Sequence, residues 1–410
     1  MKIIDGKNQR QVDALVARGA RPDAAFDARV REIVNAVRRG GDKVLARFAD
    51  QFDKASEPLE VSHAEMRDYA SLVPPDVRRA IKIAARNIAK VAFRQIPKHW
   101  DLSIVPGVSI EQRVEPLARV GCYVPGGRFP LPSSLLMTAI PARVAGVREI
   151  IVMCPRPEPP VMAAALEAGV TRMFRIGGAH AIAALAYGTS RVPRVDKIVG
   201  PGNRFVAAAK ALVAADCAID FYAGPTEIVI VARGGRADWI AADLIAQAEH
   251  DPDARSIFIT WSRPFAERVS RIVDAAAASR AVVKQSLNAH GAIVVTRSAA
   301  EAMALANRIA PEHLVVDNEA LAKQPVTAGV LFIGPFAAQA AGDYATGSNH
   351  VLPTAGAARF RGGLSAADFV RVMSVQRVSR AGLKALAPTI VPLARAEGLV
   401  AHAESIEVRL

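Results

Sequence analysis

From Gly121 to about Ala215 the chain alternates short β-rich runs with Ala-rich helical ones, and after Gly224-Pro225 the alternation starts again. In the first stretch, residues 149–153, 172–176 and 196–199 read as strands, with helical runs at 161–168, 180–186 and 203–214 between and after them. In the second, strands at 228–232, 256–260, 292–296 and 330–333 are interleaved with helices at 238–248, 265–278 and 299–309. A strand–helix–strand rhythm has one common solution, a parallel sheet covered by the helices that carry the chain back across it. The expected fold is therefore α/β, with two Rossmann-like parallel-sheet units of similar topology. A duplication is suggested, although no sequence repeat proves it. Around this centre the chain reads as helical extensions. Residues 23–38 have helical spacing, Gly40-Gly41-Asp42 stops that helix and opens the next, and the pattern resumes from Pro74-Pro75 to about Gln95. Near the C-terminus 366–373, 380–387 and 393–408 read as helices, the last carrying Glu397 and His402.

Composition narrows the function classes. A length of 410 residues suggests two or three domains, and no apolar run reaches the roughly 18–20 residues of a membrane span. The opening Met1-Lys2-Ile3-Ile4-Asp5-Gly6 lacks the apolar core of a signal peptide, so a cytoplasmic location is expected. Net charge is +13, but the basic residues are spread, aromatics are few, and no nucleic-acid-binding signature is present. No nucleic-acid partner and no membrane partner are expected; a basic surface that also attracts an anionic cofactor is the favoured reading. Cys122, Cys154 and Cys217 lack metal-type spacing and sit beside apolar residues, so they read as reduced packing residues.

Four of the eight histidines fall in acid-rich segments. Gln247 and His250 lie three apart at the end of a helical run, which places both on one face. That alone is weak, because such polar pairs occur on any exposed helix. Asp343 and His350 stand in a segment with Gly342 and Gly347, whose glycines permit a tight backbone. With His402, the side chains of Gln247, His250 and Asp343 would make two nitrogen and two oxygen donors, suited to Zn²⁺ or another first-row ion. Spacing does not separate His402 as a ligand from a solvated histidine on a terminal helix. Glu312-His313 follows Pro311 at a helix-to-strand junction, where two bases near neutrality could serve proton transfer or merely mark the edge of a strand.

Glycine-proline loops recur at 123–127, 177–178, 200–203 and 223–226. In a parallel sheet such loops gather where ligands bind, and helix N-termini attract phosphate. G-x-G-x-x-G is absent, so ordinary turn chemistry remains open for them.

Taken together, Tyr123-Val124-Pro125-Gly126-Gly127, Lys197-Ile198-Val199-Gly200-Pro201-Gly202-Asn203, Gln247-Ala248-Glu249-His250-Asp251, Ala310-Pro311-Glu312-His313-Leu314, Gly342-Asp343-Tyr344, Asn349-His350-Val351-Leu352-Pro353-Thr354 and Glu397-Gly398-Leu399 with His402 closely resemble the histidinol dehydrogenase family, from about residue 10 onward. The resemblance implies oxidation of L-histidinol to L-histidine in two NAD-dependent steps through an aldehyde-level intermediate, with one Zn²⁺ per subunit. It implies zinc held by Gln247, His250, Asp343 and His402, with His313 as base for the alcohol step and Glu312 activating water. Thr226, His350 and Glu397 would line the substrate beside Gln247, His250, His313, Asp343 and His402, while Tyr123, His180 and Asn203 would face NAD. It further implies a homodimer with shared active sites, the last helix crossing to its partner. The expected division is 1–16 as an N-terminal helical extension, 17–122 with 227–364 as the domain bearing metal and catalytic residues, 123–226 as the NAD-binding domain, and 365–410 as the C-terminal extension. His180 stands where the family usually has Gln and Thr226 where it usually has Ser; Thr346 and Ser348 exchange hydroxyl types. A related enzyme oxidising another polar alcohol, such as dihydroxypropane sulfonate, is the alternative. A zinc hydrolase is disfavoured by the absence of H-E-x-x-H.

Overall fold

Runs such as Ile228-Val229-Ile230-Val231 are β-branched and apolar on both faces, so they can only be satisfied inside a sheet covered on both sides. A computed structural model, which describes residues 1–17, 23–126, 130–222 and 224–410, contains two such sheets. Gly127 and Ala223 of the glycine-proline loops lie outside the described residues.

The first sheet runs, edge to edge, Glu60–Val61, Arg172–Phe174, Glu149–Met153, Arg119–Tyr123, Lys197–Val199 and Ala218–Ile219; all pairs are parallel except the first. The second runs Lys2–Asp5, Ala292–Val295, Arg255–Thr260, Glu227–Val231, His313–Val316 and Val330–Ile333, all parallel. In both, the third, second, first, fourth and fifth strands of the unit lie in that spatial order, with one extra edge strand beyond the third. The similar topology expected from sequence is thus present.

Several local readings are corrected by partners far away in the chain. Residues 1–16 do not form a helical extension: Lys2–Asp5 is an edge strand whose register with Ala292–Val295 buries Ile4, and only Gln9–Val16 is helical. The helices within 17–122 pack chiefly on the first sheet, although Pro75–Gln95 also touches the later segment: Asn87 Nδ2 donates to the Ala345 carbonyl at 2.8 Å, and Val351 and Leu364 share its core. Val30, Val34 and Val37 of Ala24–Phe48 join Tyr123 and Ile151 in one core, and Ile81, Ala85 and Ile88 of Pro75–Gln95 join Val120 and Leu136 in another, so both cover the first sheet. Gly41 interrupts the former helix at φ 51°. The stretch 366–373 is not a helix: a short 3₁₀ turn, Ala366–Phe369, leads into strand Val370–Val378, antiparallel to Val108–Pro116. Trp100–Val105 completes this third, three-stranded sheet, whose Trp100, Leu102, Ile104, Val372 and Val378 are exposed. The final helix is broken at Glu397-Gly398, where Gly398 has φ 75°, into Arg380–Ala396 and Val400–Glu407. The three cysteines are free and buried, and burial pushes the Cys122 and Cys154 thiols up to about 12. No helix among the described residues is long and apolar enough to cross a membrane.

The chain leaves the first sheet at Ile219 and enters the second at Glu227. The carboxyl edge of the first sheet therefore faces the amino edge of the second, and a cleft of about 1520 Å³ lies along that seam.

Candidate active site

On the second-sheet wall, the strands Glu227–Val231 and His313–Val316 are neighbours, so the residues entering them, Thr226 and Glu312, meet. Ala310 adopts a left-handed conformation (φ 51°) that ends the helix Ala299–Ile309, and Pro311 prevents its resumption. Glu312 is thereby turned inward and is 6% exposed. Its Oε2 accepts from the Thr226 hydroxyl at 2.6 Å and from the Glu227 N–H at 2.9 Å. The Gln247 amide Nε2 donates to Thr226 Oγ1 at 2.6 Å. The remaining amide oxygen, Gln247 Oε1, is buried without a partner among the described residues, and so is His313 Nε2. Buried polar atoms are rarely left so, and two of them, one on cleft-lining His313 and one on Gln247 directly behind cleft-lining Thr226, point to a ligand.

His313 Nδ1 sits 3.1 Å from the Glu227 carbonyl, so the proton belongs on Nδ1 and the Nε2 lone pair is free. The ring stacks against Phe332, which also lies where any side chain at position 342 would have to go; only glycine lets the segment bearing Asp343 approach. Asp343 Oδ1 is 3.9 Å from His313 Nε2, Gln339 Nε2 donates to Asp343 Oδ2 at 2.6 Å, and His350 Nδ1 lies 3.0 Å from the Asp343 carbonyl. His250 lines the same wall.

Burial dominates the electrostatics here. It raises the Glu312 carboxyl to about 7, against the opposing effects of Thr226, the Glu227 N–H and His250. It raises Asp343 to about 6, opposed by His313, and lowers His350 to about 4. His250 and His313 are also lowered by burial. The site thus offers neutral imidazoles and carboxyls reluctant to ionise without a cation nearby.

Gln247, His250 and Asp343, separated in sequence, are brought to one wall. No group of three His, Cys, Asp or Glu side chains among the described residues suffices to hold a metal. A set made of one neutral imidazole, one carboxylate and an unpartnered amide oxygen does fit Zn²⁺, with a fourth donor wanting. His402 and Glu397 are not brought there: both are exposed near the end of the chain and line no part of the cleft.

The opposite wall carries Tyr123, His180 and Asn203. The Tyr123 hydroxyl accepts from the Gly178 N–H at 3.1 Å. His180 Nε2 lies 2.9 Å from Asp53 Oδ2, which also accepts from the Gly177 N–H at 2.8 Å. Asn203 Oδ1 caps the helix Arg204–Val213 by accepting from Phe205 and Val206. Gly200 (φ 113°) passes so close to Tyr123 that a Cβ would lie 2.2 Å from its carbonyl oxygen. The loop is held by a buried ion pair. Lys210 pairs with Asp220 and donates to the Gly200 carbonyl at 3.0 Å, while Asp220 Oδ2 accepts from the Gly200 N–H at 2.8 Å. Removing one partner strands a buried charge, so Lys210→Met is expected to lower stability by about 3–5 kcal/mol in urea unfolding.

Sequence reasoning missed Asp53, Lys210, Asp220 and Phe332, none of which carries a local signal. Gln339 did offer one, an i, i+4 relation to Asp343 on a short helix.

Comparisons with known proteins give the family. Residues 16–410 match the family model described as histidinol dehydrogenase. Histidinol dehydrogenase from Dechloromonas aromatica (strain RCB) is 42% identical, over 100% of this chain and 98% of its own. That from Syntrophotalea carbinolica (strain DSM 2380 / NBRC 103641 / GraBd1) is 45% identical, over 97% and 95%. The crystal structure of histidinol dehydrogenase from Elizabethkingia anophelis superposes with a TM-score of 0.94 at 31% identity, covering 100% of this chain and 98% of that one. A match of this extent, in sequence and in fold, places the chain in the histidinol dehydrogenase family of oxidoreductases.

Proposed function

We propose that this protein is a cytoplasmic enzyme oxidising L-histidinol to L-histidine, in the last steps of histidine biosynthesis, with NAD as acceptor and one Zn²⁺ per subunit. The observation that carries the reading is the pair of buried, unpartnered acceptor atoms, Gln247 Oε1 and His313 Nε2, the first on a side chain bonded to Thr226, which lines the cleft with His313 and Glu312. Gln247, His250 and Asp343 would hold the metal, with His402 from a second copy of the chain as fourth donor. The exposed apolar face of the three-stranded sheet and the exposed C-terminal helices support such a homodimer with shared sites, in which Glu397 also reaches the substrate.

When bound, zinc would fix the substrate through its nitrogens, and NAD would take up hydride in each of two oxidations. His313 takes the carbinol proton on Nε2, because Nδ1–H is committed to the Glu227 carbonyl. Glu312 then serves the second step. Its Oε2 already accepts two hydrogen bonds, which leaves Oε1 to take a proton from the water that adds to the aldehyde. His350 and Thr226 complete the substrate wall, while Tyr123, His180 and Asn203 meet the dinucleotide.

The test is stoichiometry. Zinc-loaded protein supplied with NAD should form two NADH for each L-histidinol consumed. Turnover of dihydroxypropane sulfonate or another polar alcohol, with none of L-histidinol, would overturn the substrate assignment; NADH yield of one would overturn the second step.

A further inference from the structure

We infer that Thr226 is a positioning residue: a one-way hydrogen-bond relay through which the carboxylate of Glu312 dictates which end of the Gln247 amide faces the cleft. The inference rests on the proposal that Gln247 ligates the metal through its side-chain oxygen.

The polarity of the chain of contacts carries the argument. A carboxyl oxygen that carries no proton can only accept, and whether Glu312 is ionised or holds its proton on Oε1, both close neighbours of Oε2, the Thr226 hydroxyl at 2.6 Å and the Glu227 N–H, must donate. A threonine hydroxyl owns one proton, and Glu312 takes it. Toward Gln247, also 2.6 Å away, Thr226 can then act only as acceptor, and the group it meets must be an N–H. An amide turned the other way would set two oxygens against each other with no proton between them. Gln247 Oε1 is forced to point away, and that is the atom found buried and unpartnered.

Without the relay an amide has no preference for which end it presents, since its oxygen and nitrogen are nearly the same size. A metal ligand binds better when it is held in the ligating orientation before the ion arrives. On this reading the proton of Thr226 is spent on the protein and unavailable to substrate. Serine would serve equally; valine, of the same shape, would not.

The experiment is zinc affinity, measured on the purified protein by competition with a chromophoric chelator, without substrate or NAD. Thr226→Val should weaken zinc binding by roughly 10–100-fold, the usual effect of losing a group that orients a metal ligand, and Thr226→Ser should restore it. Glu312→Ala, which frees the hydroxyl to turn toward the amide, should weaken zinc as well, although Glu312 is no ligand. The double variant should be no worse than either single one, because all act on one chain of contacts. Wild-type affinity in Thr226→Val, with Gln247→Ala clearly weakened, would overturn the relay. Wild-type affinity in Gln247→Ala would instead remove Gln247 from the ligand set, and the relay with it. Additive losses in the double variant would mean two independent effects and likewise overturn it.

Discussion

Glu312→Gln is expected to slow conversion of the aldehyde to L-histidine by about 10²–10⁴-fold, the usual worth of a general base, while oxidation of the alcohol is much less affected. The reason is geometric: the amide can still accept from Thr226 and Glu227, but it cannot take a proton from water. Stopped-flow measurement of the two half-reactions separates them, and equal losses in both would contradict the assignment. The same residue sets the pH profile. With its carboxyl raised to about 7 by burial, the second step should quicken as pH rises to about 7 and then level off, and that limb should vanish in Glu312→Gln. Stability follows the opposite sign. The folded chain holds this proton more tightly than the unfolded one, so the contribution is fullest below 4.5 and declines as pH rises from there through about 7.

Two variants that each fail to form L-histidine should together make an enzyme that does. Glu312 sits in the cleft of its own chain, whereas His402 lies exposed on the final helix and, as proposed, completes the site of a second copy. A hybrid of a Glu312→Gln subunit with a His402→Asn subunit then has one site carrying both lesions and one carrying neither. Random exchange gives hybrids in half of the dimers with one good site of two, hence recovery to about a quarter of wild-type activity. Each variant alone should stay near baseline in L-histidine formation, the activity to be followed. No recovery, with hybrid dimers verified by native mass spectrometry, would mean that both residues act within one chain or that His402 acts nowhere.

The parts of the fold legible in the sequence were those whose signal is local. Unbroken runs such as Ile228-Val229-Ile230-Val231 announce buried parallel strands, and Ala-rich spacing announces their covering helices. What escaped was decided by a distant partner. Val370–Val378 becomes a strand because Val108–Pro116 lies beside it, and Lys2–Asp5 because Ala292–Val295 does. The site divides likewise. Gln247, His250, Glu312, His313, Asp343 and His350 carry only weak local signals, and it is the resemblance of their segments to the histidinol dehydrogenase family that singles them out. Asp53 could not be found that way: its contacts with Gly177 and His180 cross more than a hundred positions and follow only from the packing of the N-terminal helices on the first sheet. That Thr226 would spend its hydroxyl on Glu312 and Gln247 was equally invisible, since it needs two adjacent strands and a helix end in one place.

The opposed sheet edges along the seam have an electrical consequence. In a parallel unit each helix runs back against its strand, so the helices Gly178–Tyr187 and Arg204–Val213 bring their amino ends to one wall. The helices Ala237–Ala248 and Ala299–Ile309 bring their carboxyl ends to the other. Aligned peptide dipoles leave about half a positive charge at the former ends and half a negative charge at the latter. One wall is therefore biased toward diphosphate and the facing wall toward a cation, before any charged side chain is counted. Joining two copies of one topology edge to edge gives the cleft this polarity by construction.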